Sequence, residues 1–254
     1  MTEMKKNLNL TRRLALTGAF AALVIVLGIT KLGFITLGPT VSITILHVPV
    51  ILICLLAGLP EGLFVGATFG ILSLIQASMN PSTLLDPLFV NPLFSVVPRM
   101  LVAVVAWGLW TLFTNVSKLR KENIIGITAL FFGLFYICFT NILPTHLGIG
   151  LTLLSTAIIW LVLVNASKVP LTVFAGLTGF LSTLAHTLLV IGFIYMFKGA
   201  YIREALGGVG FFGFIAMLGM NVVFEALAAT IICVAVYAGL YIAGNRKSKL
   251  SQEA

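Results

Sequence analysis

The chain has 254 residues, of which 60% are hydrophobic and only 9% charged, and it carries a net charge of +8. A soluble domain holds about 25% charged residues, so a water-soluble globule is excluded and a polytopic membrane protein is implied. The positive surplus does not signal nucleic acid, because the cations gather at the ends of apolar runs and form no patch with interleaved aromatics.

In chain order, a short tail, 1–13, precedes a first apolar run at about 14–30. No small-residue cleavage pattern follows it and more spans come after it, so it reads as a span and not as a removable signal peptide. Ala15 and Ala19, with Gly18 and Ala22 beside them, put small residues at helical spacing on this run. Such a face lets helices approach closely in lipid, either within the protein or against a partner. Further apolar runs lie at about 41–58, 62–79, 93–115, 124–142, 146–164, 170–197 and 208–243, before a polar tail at 245–254. Each is near the roughly 20 residues that a helix needs to cross a bilayer. The runs at 124–142 and 146–164, joined by a turn with Pro144 and His146, form a helical hairpin or a partly re-entrant pair. The expected fold is therefore an all-α transmembrane bundle of six to eight spans, with eight preferred, forming one domain over 14–244.

Two stretches are expected to be loops. Residues 31–44 carry Gly33, Gly38, Pro39 and several hydroxyls. Residues 78–98 hold Pro81, Pro87, Pro92 and Pro98 with Asn80, Asp86 and Asn91. Prolines remove backbone donors and block regular helix, which argues for structured loop as far as Pro98. Either loop is a plain connection or a lid over a pocket at membrane depth.

The basic residues orient the bundle. With a cytoplasmic N-terminus, Lys5, Lys6, Arg12, Arg13, Lys118, Arg120, Lys121, Lys168, Arg246, Lys247 and Lys249 all fall inside. Lys31, Lys198 and Arg203 fall outside, and Arg99 lies near or in the membrane. The positive-inside rule thus places both termini in the cytoplasm and both loops outside.

Ionisable groups at membrane depth cost at least a few kcal/mol, so each is a functional candidate. Arg99 offers a planar fork for a carboxylate or phosphate, or it snorkels to the interface or pairs with Asp86. Glu225 stands four residues after Asn221, which puts both on one helix face. Glu225 is open to three roles: partner of Arg99, acceptor for a ligand hydroxyl or amide, or a lock between helices. His47, His146 and His186 occur singly in different runs; His47 and His186 are candidates for ligand contact, and Gln76 is another. Cys54, Cys138 and Cys233 sit in apolar runs and read as buried small hydrophobes. No HExxH or other paired spacing points to a metal, and no cofactor is expected. Neither a GxxxxGK[ST] loop nor a GxSxG elbow is present, so no nucleotide site and no enzyme of those kinds is expected.

Several stretches together resemble the substrate-binding (S) components of energy-coupling-factor vitamin transporters. They are Arg12-Arg13-Leu-Ala-Leu-Thr-Gly-Ala19, Gly33-Phe-Ile-Thr-Leu-Gly-Pro39 leading to His47-Val-Pro49, and Gly58-Leu-Pro-Glu-Gly62 running on to Gly66. Asn91-Pro92 through Pro98-Arg99, and Asn221 through Glu225, complete the set. The His-Val-Pro, Asn-Pro…Pro-Arg and Asn-x-x-x-Glu elements look most like the pantothenate-specific branch. Members usually have six spans, so 124–164 is an extra hairpin here. The resemblance implies a bacterial cell-membrane protein that captures a vitamin from outside under lid loops near 31–44 and 80–92. It also implies docking through Ala15 and Ala19 on a transmembrane coupling subunit that works with two cytoplasmic ATPases. Arg99 would hold the pantothenate carboxylate, and Asn91, His47, Asn221 or Glu225 its polar groups. Rival expectations are a self-sufficient proton-coupled carrier, a membrane-embedded enzyme, and a structural subunit whose polar residues only glue helices.

Overall fold

A computed structural model describes residues 9–30, 32–36, 42–79, 81, 86–118, 121–142, 145–205, 208 and 210–253. The architecture is helical, with α1 (Leu10–Ile29), α2 (His47–Leu56), α3 (Leu59–Met79), α4 (Asp86–Phe89) and α5 (Pro92–Val116) in the first half. There follow α6 (Lys121–Ile142), α7 (Thr145–Asn165), a 3-10 turn at Ala166–Lys168, α8 (Leu171–Ala205) and α9 (Phe211–Glu253). Six helices among the described residues are long and apolar enough to cross a membrane. Many large apolar side chains point outward, among them Leu14, Val26 and Ile29 on α1, as expected where lipid is the solvent.

The chain divides into two compact units, Met1–Trp110 with Ala175–Ala254, and Thr111–Phe174. In the second unit α6 and α7 pack on each other, and Phe113 stacks on Phe174 at 5.5 Å. In the first unit α1 buries Thr17, Ala21, Val24 and Gly28, a stripe at helical spacing that faces α2 and α3. Arg13 of α1 pairs with Glu61 in the first turn of α3 at 2.5 Å.

The apolar run expected at 41–58 is not one long helix. Its regular part, α2, is ten residues long, about 15 Å, or half of a hydrocarbon core. All ten of its residues are buried, so the run is apolar because protein surrounds it and not because it crosses lipid alone. Just before it, part of the segment expected to be loop forms a ribbon. Strands β1 (Phe34–Thr36) and β2 (Ser42–Thr44) pair antiparallel, with Phe34 opposite Thr44. Residues 31 and 37–41 lie outside the described residues. Gly58, at φ 125°, ends α2 in a conformation that side chains resist, and the chain turns there into α3.

The loop expected as far as Pro98 gives way to helix at Pro92. Proline is at home in a first helical turn, where its missing N–H has no intrahelical partner in any case. Asn91 caps that turn, its Oδ1 accepting from the Leu93 N–H at 2.9 Å. Pro98 is then tolerated inside α5, and the carbonyl that it leaves unbonded is put to use in the site. Residues 80 and 82–85 lie outside the described residues.

Alpha3 presents glycine at 62, 66 and 70 to α5. A Cβ on Gly66 would sit 2.8 Å from the Arg99 carbonyl oxygen, and one on Gly70 2.5 Å from the Val96 Cα. A Cβ on Gly62 would meet the Cys54 thiol. Glycine every fourth residue lets the α5 backbone lie directly on α3, as small-residue faces do in membranes.

Candidate functional site

The buried polar groups of the first unit converge. Arg99, on the turn of α5 that rests on Gly66, is only 6% exposed. Its Nη1 donates to the Phe94 carbonyl at 2.6 Å. That carbonyl is the one that residue 98 would bond in a regular helix, and proline has no N–H to give it. Pro98 therefore frees the acceptor that aims the guanidinium. Nη2 lies 3.4 Å from the Ser73 hydroxyl, while Phe69 and Phe89 flank the guanidinium carbon at 5.4 and 4.7 Å. No described carboxylate forms an ion pair with Arg99, and its buried Nε has no hydrogen-bond partner. Among the described residues this buried cation has one carbonyl, one hydroxyl and two ring faces, and no anion.

Phe69 joins this cation to a second group. Its ring is 5.9 Å from that of His186, which stacks on His47 at 5.1 Å with 25° between planes. One donor atom from each of His47, His186 and Glu225 lies within 4.8 Å of the other two. His47 is placed by the first turn of α2, His186 by α8 and Glu225 by α9. His47 Nε2 is 2.9 Å from the Thr183 hydroxyl, which donates to the Gly179 carbonyl at 2.8 Å. Glu225 Oε1 accepts from the Thr44 N–H at 2.6 Å, tying the end of the ribbon to α9. Close approach of α8 and α9 again rests on glycine: a Cβ on Gly179 would be 3.0 Å from the Ala229 carbonyl oxygen.

His186 has neither ring nitrogen satisfied, and His47 Nδ1, Ser182 Oγ and Asn221 Nδ2 are buried without a partner as well. Each such atom costs about 1–3 kcal/mol. Together with Arg99 Nε they lie in one unit.

Of the residues expected at a site, then, Arg99, His47, His186 and Glu225 come together through Phe69, with Asn221 one turn before Glu225. The alternative in which Glu225 pairs with Arg99 is not realised. Asn91 is exposed and serves as the cap of α5. Gln76 bonds the Gly28 carbonyl and joins α1 to α3. Ala15 and Ala19 are exposed on α1, His146 is exposed at the start of α7, and Cys54 and Cys233 are buried. The side chain of Cys138 lies outside the described residues. Phe69, Phe89, Ser73, Thr44 and Thr183 were not anticipated. The glycines at 62, 66 and 70 could have been, because a GxxxG spacing in an apolar segment is a helix-contact signal.

Helices fit to cross a bilayer, with buried polar groups among them, define a transporter-like multi-pass integral membrane protein. Comparison with known proteins agrees. The chain is similar to the pantothenate transporter PanT of Leuconostoc mesenteroides, 33% identical over 101 residues, or 38% of this chain and 50% of the relative. The chain thus spans about half the length of the curated relative that it matches. No family model matches the chain.

Proposed function

We propose that the chain captures pantothenate from outside the cell as the S component of an energy-coupling-factor importer, with both termini in the cytoplasm. The observation that carries this reading is the buried Arg99, aimed by the Phe94 carbonyl and without a carboxylate partner among the described residues. Pantothenate has a carboxylate at one end and an amide and hydroxyls along the rest. Arg99 takes the carboxylate, and His47, His186, Asn221 and Glu225 serve the amide and hydroxyls across the Phe69 ring. The partial similarity to a pantothenate transporter supports the choice of solute. The exposed small face at Ala15 and Ala19 supports docking on a transmembrane coupling subunit, through which two cytoplasmic ATPases would drive release. The ribbon latched to Glu225 supports a lid over the site.

Calorimetric titration of the detergent-purified chain, alone, against a vitamin panel led by pantothenate tests the proposal. Tight one-to-one binding of pantothenate is expected without any ATPase. Failure of every vitamin to bind would overturn it. The buried group of His47, His186 and Glu225 also suits a carrier that moves a proton with its solute, the reading favoured if uptake proceeds without partner subunits and collapses with the proton gradient.

A further inference from the structure

We propose that His47, His186 and Glu225 bind a divalent transition-metal ion of the zinc class, with a fourth position open to an oxygen of the bound solute. Two imidazoles and one carboxylate form a ligand set that zinc uses when it keeps one position free. Nitrogen-rich sites of this kind select zinc and its neighbours over magnesium or calcium.

The hydrogen bonds present the right atoms. The Thr183 hydroxyl has a single proton, and it is directed to the Gly179 carbonyl. On that basis we assign the 2.9 Å contact to His47 Nε2–H, which leaves Nδ1 as the lone-pair nitrogen of the neutral ring. That Nδ1 is buried and has no partner. His186 is buried with both nitrogens unpartnered, so no hydrogen bond holds its ring against turning toward a metal. Glu225 keeps Oε1 on the Thr44 N–H and has a second oxygen to offer. An outer hydrogen bond on His47 and another on the carboxylate are the supports that metal ligands ordinarily have.

One ligand atom from each of the three residues stands within 4.8 Å of the other two. Tetrahedral zinc, with bonds of about 2.0–2.1 Å, draws its ligands to about 3.3 Å apart, so binding closes the widest gap in the cluster by up to about 1.5 Å. Rotation of the His186 ring supplies part of that movement. The ion and Glu225 together leave one positive charge, which with Arg99 beyond Phe69 makes the unit attractive to an organic anion. The metal site uses residues of the proposed solute site, but its test needs no organic ligand, so the two proposals fail separately.

The test is titration of Co2+ into the full chain, purified in detergent without a polyhistidine tag and freed of metal by a chelator. One ion per chain is expected, with the strong visible absorption of four-coordinate Co2+, bleached by Zn2+. His186→Ala should abolish the band, Glu225→Gln should weaken binding at least tenfold, and His146→Ala, on an exposed position, should leave it intact. Zn2+ should also raise the Tm of the unaltered chain, a readout that needs no variant to fold. Absence of saturable one-to-one binding and of a Zn2+-dependent Tm shift in the monodisperse unaltered chain would overturn the proposal. Survival of the same band in monodisperse His186→Ala would do so as well.

Discussion

Both units of the chain turn apolar side chains outward, but they differ in what they bury. In Thr111–Phe174, helices α6 and α7 leave large side chains such as Leu130, Leu153, Leu154 and Leu161 exposed, and glycines 126, 133 and 150 have nothing within 4 Å of an added Cβ. In the other unit, glycines 62, 66, 70 and 179 touch a neighbouring helix, and His47, Arg99, His186 and Glu225 are all buried. Hydropathy does not tell them apart, because leucine facing lipid and leucine facing protein score alike. What distinguishes the proposed site is glycine at contact distance combined with buried polar atoms that lack partners. Both cost stability unless something else, a close helix contact or a ligand, compensates.

A matched pair of substitutions tests this contrast most strongly. Gly66→Leu drives a side chain into the Arg99 backbone and is expected to cost about 3 kcal/mol or more, with loss of solute binding. Gly150→Leu meets no neighbour and should stay within about 0.5 kcal/mol. Thermal unfolding in detergent reads both, and equal effects would erase the distinction between the units.

Pro98→Ala separates site geometry from stability. The new N–H competes for the Phe94 carbonyl, so α5 gains a helical hydrogen bond while Arg99 loses its anchor. Pantothenate affinity should fall about tenfold, or about 1.4 kcal/mol, while Tm holds or rises. A parallel fall in both would mean that Pro98 matters only for packing. A smaller effect is expected at Asn91→Ala, which removes the α5 cap and should lower stability by about 1 kcal/mol in the same unfolding assay.

Most of the fold was legible in the sequence, because long apolar runs and their flanking charges report the solvent directly. The run at 41–58 misled, since a helix buried in protein on all sides is as apolar as one in lipid, and α2 proved too short to cross. The prolines misled for a different reason. Pro92 falls in a first turn, where proline is favourable, and Pro98 costs a hydrogen bond that Arg99 takes over. Arg99, His47, His186 and Glu225 could each be singled out as ionisable residues in apolar runs. Their convergence could not, because it depends on α2, α5, α8 and α9 meeting and on Phe69 standing between them. For the same reason the absence of paired ligand spacing said nothing about three donors brought together from three helices. Asn91 and Gln76 looked equally polar in the sequence, yet their partners are backbone groups of the bundle.

On the proposed reading, Arg99 receives the carboxylate of the captured solute. The most direct test is a thermodynamic cycle in which the unaltered chain and Arg99→Ala are titrated with pantothenate and with pantothenol, where an alcohol replaces the carboxylate. Pantothenate should bind the unaltered chain at least 100-fold more tightly than pantothenol, about 2.7 kcal/mol, and the difference should collapse in Arg99→Ala. Equal affinity for the two ligands in the unaltered chain, or an undiminished preference in Arg99→Ala, would contradict the assignment.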